Sequence, residues 1–184
     1  MNQHRTLRSL ILAALLGALT AIGAWLQIPV GITSITLQFL FTAFAGVLLG
    51  WKWGAVSQLL YVAIGLLGLP VFTQGGGIGY VLQPSFGFLL GLIPAAAVIG
   101  ALTARRTGYL TVLAAVLVGD LILYAVGVPY MYLILHVYMQ SAKTFSALLA
   151  AMLVNVPGDT LKIIVVTALA PVLRRTLAKA VPNL

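Results

Sequence analysis

The sequence predicts an all-α membrane protein: a single domain over residues 1–184, built as a six-transmembrane-helix bundle with both termini cytoplasmic. Three observations carry that expectation. Of the 184 residues, 62% are hydrophobic and 7% charged, whereas soluble domains carry about 25% charged residues; mean hydropathy is +1.14. A transmembrane helix needs about 20 mainly apolar residues, so this length accommodates about six with short loops. Finally, Lys and Arg recur between the apolar runs in the alternating way the positive-inside rule expects.

The predicted spans are 7–27, 35–50, 54–70, 84–103, 109–126 and 148–171. The first is too long for a removable signal and leads straight into further apolar sequence. Arg5 and Arg8 precede it, and the connection after it carries no basic residue. Lys52 lies between the second and third spans, and the next connection is again neutral. Arg105 and Arg106 follow the fourth span, Lys143 precedes the sixth, and Arg174, Arg175 and Lys179 close the chain. With the N-terminus in the cytoplasm, eight of the ten basic residues fall inside, Lys143 falls outside, and Lys162 lies within the membrane. Trp51 and Trp53 then mark the inner interface and Trp25 the outer one, as an aromatic belt does.

The outer loops 27–38 and 69–87 carry no charge and are rich in Gly, Thr, Gln and aromatic residues. The second span has only about fifteen clearly apolar residues, about 22 Å of helix, against a hydrocarbon core of about 30 Å. The outer end of the bundle is therefore expected to dip inward, with the loops folded over it. Irregular backbone at such depth is tolerated where it is buried in protein or lines a cavity. The aromatic stretch 128–145 reads either as a short interfacial helix or as the start of a long sixth helix.

Several function classes are excluded. The positive charges, net +8, are scattered in ones and twos without a basic face, which argues against nucleic acid. The chain has no cysteine and two acidic residues. There is no HExxH, no recognisable nucleophile setting and no carboxylate pair positioned for hydrolysis, so an enzyme is not expected. His136 lacks neighbours for a metal site and reads as an interfacial side chain. No GxxxxGK phosphate loop is present, so the chain cannot drive ATP-dependent transport by itself.

The chemistry concentrates in "NVPGDTLK", residues 155–162. Asn155, Asp159 and Lys162 are spaced four and three apart and share one helix face. Asp159 stands fifteen residues before Arg174, about 22 Å above the inner surface, and Asp120 comes to a similar depth. Ionisable residues there are costly and face a bundle interior or cavity. Lys162 is expected to neutralise Asp159 or Asp120, as a structural pair or as part of a site for a small molecule with N–H donors and an anionic end. The glycine-rich "TQGGGIGY" (73–80) reads as a flexible loop or as a pocket wall with Tyr80 as its flat surface. On the first span, Ala14 and Ala18 form one small-residue ridge, and Ala13, Gly17 and Ala21 another; such ridges serve close helix contacts, within the bundle or with a partner.

Residues 37–72, followed by "GGGIGYVLQPSFGFLLG" and "VPGDTLKIIVV", resemble the BioY family, the biotin-specific substrate-binding (S) components of energy-coupling factor (ECF) transporters. The resemblance implies a bundle in the cell membrane that captures biotin near its outer face. It also implies partners: a transmembrane coupling subunit and a pair of ABC ATPases. By resemblance, Pro157, Gly158, Asp159 and Lys162 carry ligand contacts, while Ala14 and Ala18 face the coupling subunit. Biotin's ureido ring offers two N–H donors to Asp159 and a carbonyl to Asn155 or a backbone N–H; its sulfur ring and valerate chain want apolar walls such as Tyr80 and Phe88. Gly76, Gly77 and Gln38 complete the expected ligand set. No resident cofactor is expected. Where the family usually reads Gly-Pro-Thr-Gly-Gly-Tyr, this chain reads "QPSFGF" (83–88), which keeps open an S-component for another vitamin. A self-sufficient channel or facilitator is the other alternative.

Overall fold

A computed structural model of the chain describes residues 2–30 and 33–180. Gly31 and Ile32 of the first outer loop and both chain ends lie outside the described residues, as does the side chain of Arg5. Helix α1 (Asn2–Trp25) leads into an antiparallel hairpin of β1 (Gln27–Val30) and β2 (Thr33–Thr36), with Gln27 opposite Thr36. Helix α2 covers Gln38–Leu66, α3 Phe86–Leu102 and α4 Tyr109–Leu133, which continues as a π turn over Ile134–Tyr138. Helix α5 (Phe145–Met152) passes through a 3-10 turn (Leu153–Asn155) into α6 (Val156–Ala180). Among the described residues, four helical stretches are long and apolar enough to cross a membrane: Thr6–Trp25, Gln38–Leu66, Tyr109–Tyr138 and Phe145–Lys179. Helix α3 is apolar but shorter, at 17 residues.

Helix α2 turns back on itself at Gly50. Its φ of 77° and ψ of −179° lie in a region that is essentially glycine's alone. The residues on either side pair in antiparallel order. Gly54 packs on the backbone of Gly46, Thr42 Oγ1 donates to Gln58 Oε1 at 2.9 Å, and Gln38 Nε2 donates to Tyr61 Oη at 2.7 Å. The two arms thus form a helical hairpin with Lys52 at its tip. The sequence placed a connection in this place.

Most faces of these helices are apolar, so small residues decide which faces meet. Ala13 is fully buried and Gly17 lies against the carbonyl of Ser57, while Ala14 and Ala18 are exposed. One small-residue ridge of α1 therefore packs inside the bundle and the other faces out. Between them, Gln58 is wholly buried and fully bonded: its Nε2 donates to Thr20 Oγ1 at 3.3 Å and to Ser57 Oγ at 3.2 Å. A buried amide with every bond made ties α1 to both arms of α2 without an unpaired group.

Two elements differ from the sequence expectation. The loop after α1 contains a β-hairpin, whose uncharged QIPV and TSIT strands pair with each other. The aromatic stretch 128–145 is mostly the end of α4, which runs past the expected boundary at 126; only its last residue belongs to α5. A small separate cluster of Val128, Met131, Leu135, Leu148 and Met152 packs α5 onto that extension.

Candidate functional site

The sequence places Pro157 and Gly158 inside the predicted sixth span, 148–171, and the structure gives each a task. Pro157 sits in the first turn of α6, where its missing N–H has no helical partner to lose. It starts the helix rather than kinking it. Gly158 has no side chain to hold β2 away: a Cβ there would stand 2.7 Å from Ile35 Cγ2. Strand β2 therefore lies directly on α6 and brings the Thr36 carbonyl to Lys162, whose Nζ donates to it at 3.2 Å.

Asp159 occupies the first turn of α6, where free backbone N–H groups and the helix dipole favour a negative charge. Its Oδ1 lies 2.5 Å from Lys162 Nζ, and Tyr124 Oη donates to its Oδ2 at 2.5 Å. Both members of the ion pair are buried, at 6% and 7% exposure. Of the two partners weighed for Lys162, the pair is made with Asp159. Asp120 lies one turn below Tyr124 on α4, and its buried Oδ1 has no hydrogen-bond partner.

These groups line a cavity of about 150 Å³. Asn155, Asp159 and Lys162 form one side. The hairpin supplies Pro29, Ser34, Ile35 and Thr36; α2 supplies Gln38 and Phe39. The 67–85 connection supplies Thr73, Gln74, Tyr80 and Ser85, and α3 and α4 supply Phe88, Leu89, Leu92, Leu123 and Tyr124. A polar side thus faces an aromatic and aliphatic one, the usual composition of a small-molecule site.

The glycine-rich connection is pinned as a wall. Phe72 is 1% exposed and packs between Tyr61, edge to face, and Tyr80, tilted, at centroid distances of 5.5 and 4.6 Å. Thr73 and Tyr80 share a hydroxyl hydrogen bond of 2.8 Å, and Tyr130 Oη donates to the Val81 carbonyl at 2.6 Å. Gly77 N donates to the Gly65 carbonyl at 2.7 Å, and Gly76 lies against the carbonyl of Leu69. The close backbone approach that these glycines permit is to the end of α2 and the residues just after it.

Of the residues singled out from sequence, Asp159, Lys162, Asn155, Tyr80, Gln38 and Phe88 meet at the cavity, whereas Gly76 and Gly77 do not line it and pack against Leu69 and Gly65. Asn155 donates from Nδ2 to Met152 Sδ at 3.7 Å, and its buried Oδ1 has no partner. In "QPSFGF", Phe88 lines the cavity while Phe86 packs away from it between Tyr80 and Tyr130. Sequence reasoning missed Tyr124, Thr36 and Thr73. Tyr124 stands four residues after Asp120, the spacing that puts both on one helix face, and that was the available signal for it.

Long apolar helices and a polar-sided cavity closed by loops define a multi-pass integral membrane protein with a pocket of small-molecule character. The chain belongs to the BioY family, whose model matches residues 1–179. It is 46% identical to a probable biotin transporter BioY of Lysinibacillus sphaericus, over 84% of this chain and 80% of the relative. It is 36% identical to the biotin transporter BioY of Rhodobacter capsulatus, over 96% of each. The crystal structure of the S-component for biotin from an ECF-type ABC transporter superposes with a TM-score of 0.83 at 29% identity, covering 95% of both chains.

Proposed function

We propose that this protein is the substrate-specific subunit of an ECF-type importer for biotin, a transport component and not an enzyme. The observation that carries the reading is the likeness to a biotin S-component along 95% of the chain; relatives named as biotin transporters support it. In this reading the whole chain is one domain, and biotin occupies the cavity. Its ureido N–H groups meet Asp159, and its carbonyl meets the remaining N–H of Lys162 or a neighbouring donor at Asn155 or Gln38. Its sulfur ring and valerate chain lie along Tyr80 and Phe88. Gly76 and Gly77 serve the site by letting the wall close against α2.

The same reading has six crossings with both termini cytoplasmic. The two arms of α2 and the short α3 add to α1, α4 and the α5–α6 stretch. Lys52, Arg105, Arg106 and Arg174 gather at one end of the bundle: Gly100 packs on the backbone of Gly50 and Trp51, and Arg174 Nη1 donates to the Thr103 carbonyl at 2.6 Å. The positive-inside rule makes that end cytoplasmic, and the cavity lies at the other. Energy comes from partners, a transmembrane coupling subunit and a pair of ABC ATPases, with Ala14 and Ala18 on the face toward the coupling subunit.

The test is calorimetry on the purified chain in detergent, with thiamine and riboflavin as controls. Saturable biotin binding, with no response to the other two, is the expected result. A folded sample that ignores biotin overturns the assignment.

A further inference from the structure

We propose that Tyr124 is a positioning residue for the ligand, acting through Asp159. The inference rests on the biotin-binding reading of the cavity. Asp159 is held at both oxygens, Oδ1 by Lys162 and Oδ2 by the Tyr124 hydroxyl. The two holders come from different places: Lys162 lies one turn along α6, whereas Tyr124 reaches across from α4. A carboxylate gripped at one oxygen still swings about its side-chain torsions. Gripped at both, it presents its remaining lone pairs in one direction, and a ligand N–H then meets an acceptor whose orientation is already set.

Tyr124 is itself braced. The Phe88 ring meets it edge to face, with centroids 5.8 Å apart and planes at 87°. Phe88 reaches that position over Gly127, where a Cβ would stand 2.4 Å from its ring. The order of support therefore runs from α3 through Phe88 to Tyr124 on α4, and from there to Asp159 on α6. The Tyr124 proton is committed to Asp159, so the hydroxyl donates to the carboxylate and not to the ligand.

The experiment is a double-mutant cycle on the full-length purified chain, read by biotin calorimetry together with thermal unfolding. Tyr124→Phe keeps the ring and its packing on Phe88 and removes the hydroxyl. It is expected to weaken biotin binding about tenfold, the effect of losing one strong hydrogen bond, with an unchanged melting temperature. Asp159→Asn weakens binding further, and adding Tyr124→Phe to it brings no additional loss. Tyr124→Phe binding within twofold of wild type overturns the proposal, as does a double variant showing the full product of the two single losses. A second readout needs no ligand. The chain has only two acidic side chains, so the infrared carboxylate stretch of Asp159 is assignable by its loss in Asp159→Asn. That band is expected to shift in Tyr124→Phe; an unmoved band also overturns the proposal. Wild-type protein that does not bind biotin would instead refute the ligand assignment on which the inference rests.

Discussion

A buried ion pair is a weak device for stability, because desolvating two charges offsets most of their attraction. Asp159 and Lys162 are held at 6% and 7% exposure with Tyr124 and the Thr36 carbonyl as further partners. The pair is fully bonded within the protein and stands on the side of a cavity, where the proposed function puts the ligand. Asp159→Asn removes the charge that the proposed function assigns to the ligand's N–H groups. It is expected to weaken biotin binding about 10- to 100-fold, since hydrogen bonds to charged groups contribute about 1.5–3 kcal/mol. Asp120 is the control. It carries the only other acidic side chain, does not line the cavity, and has an unpartnered Oδ1. Asp120→Asn is expected to leave the biotin dissociation constant within about threefold of wild type, as its Oδ1 has no hydrogen bond to lose on amidation. Calorimetry on the two variants side by side checks both outcomes, and equal losses would remove the distinction between the two carboxylates.

At the scale of elements, what was legible in the sequence is what glycine, proline and charge can signal. The connection between two spans near Gly50 followed from Lys52 and the flanking tryptophans, and the spacing of Asn155, Asp159 and Lys162 marked a polar face, although the sixth span was drawn over 148–171, through the start of α6 at Val156. The β-hairpin was not legible: four-residue strands that pair only with each other leave little periodicity to detect. Nor was the reach of α4 past 126, because Gly127 and Pro129 read as breakers whereas tertiary packing carries the helix through them. Tyr124 escaped for a similar reason, since an aromatic residue in an apolar span looks like packing until its partner on another helix is known. The elements also make separable predictions. Gly50→Ala forces a side chain into a backbone region that costs about 1–3 kcal/mol. It is expected to lower the melting temperature while leaving biotin affinity unchanged, because the hairpin tip is at the far end from the cavity. Gly158→Val should do the reverse in emphasis. Its added atoms collide with Ile35 and push β2 away, taking the Thr36 carbonyl from Lys162 and weakening binding measured by the same calorimetry.

For the whole molecule, the cavity and the outward ridge of α1 belong to different surfaces. Gln58, Thr20 and Ser57 lock α1 onto the hairpin of α2, so α1 is fixed to the body of the protein while Ala14 and Ala18 remain exposed on its outer face. Small side chains on a lipid-facing surface contribute little packing with lipid, but they allow another helix to approach closely. Lys52, Arg105 and Arg106 stand at the end of the bundle away from the cavity, so ligand capture and partner docking need not compete for the same residues. Replacing Ala14 and Ala18 together by Leu fills the ridge without touching the cavity. The double variant is expected to bind biotin with wild-type affinity in detergent. Co-expressed with the coupling subunit and the ATPases, it is expected to lose co-purification with them and to lose ATP-dependent biotin uptake in vesicles. A variant that still assembles and transports would move the docking surface off this ridge, and a variant that loses biotin binding would mean that the two surfaces are not independent.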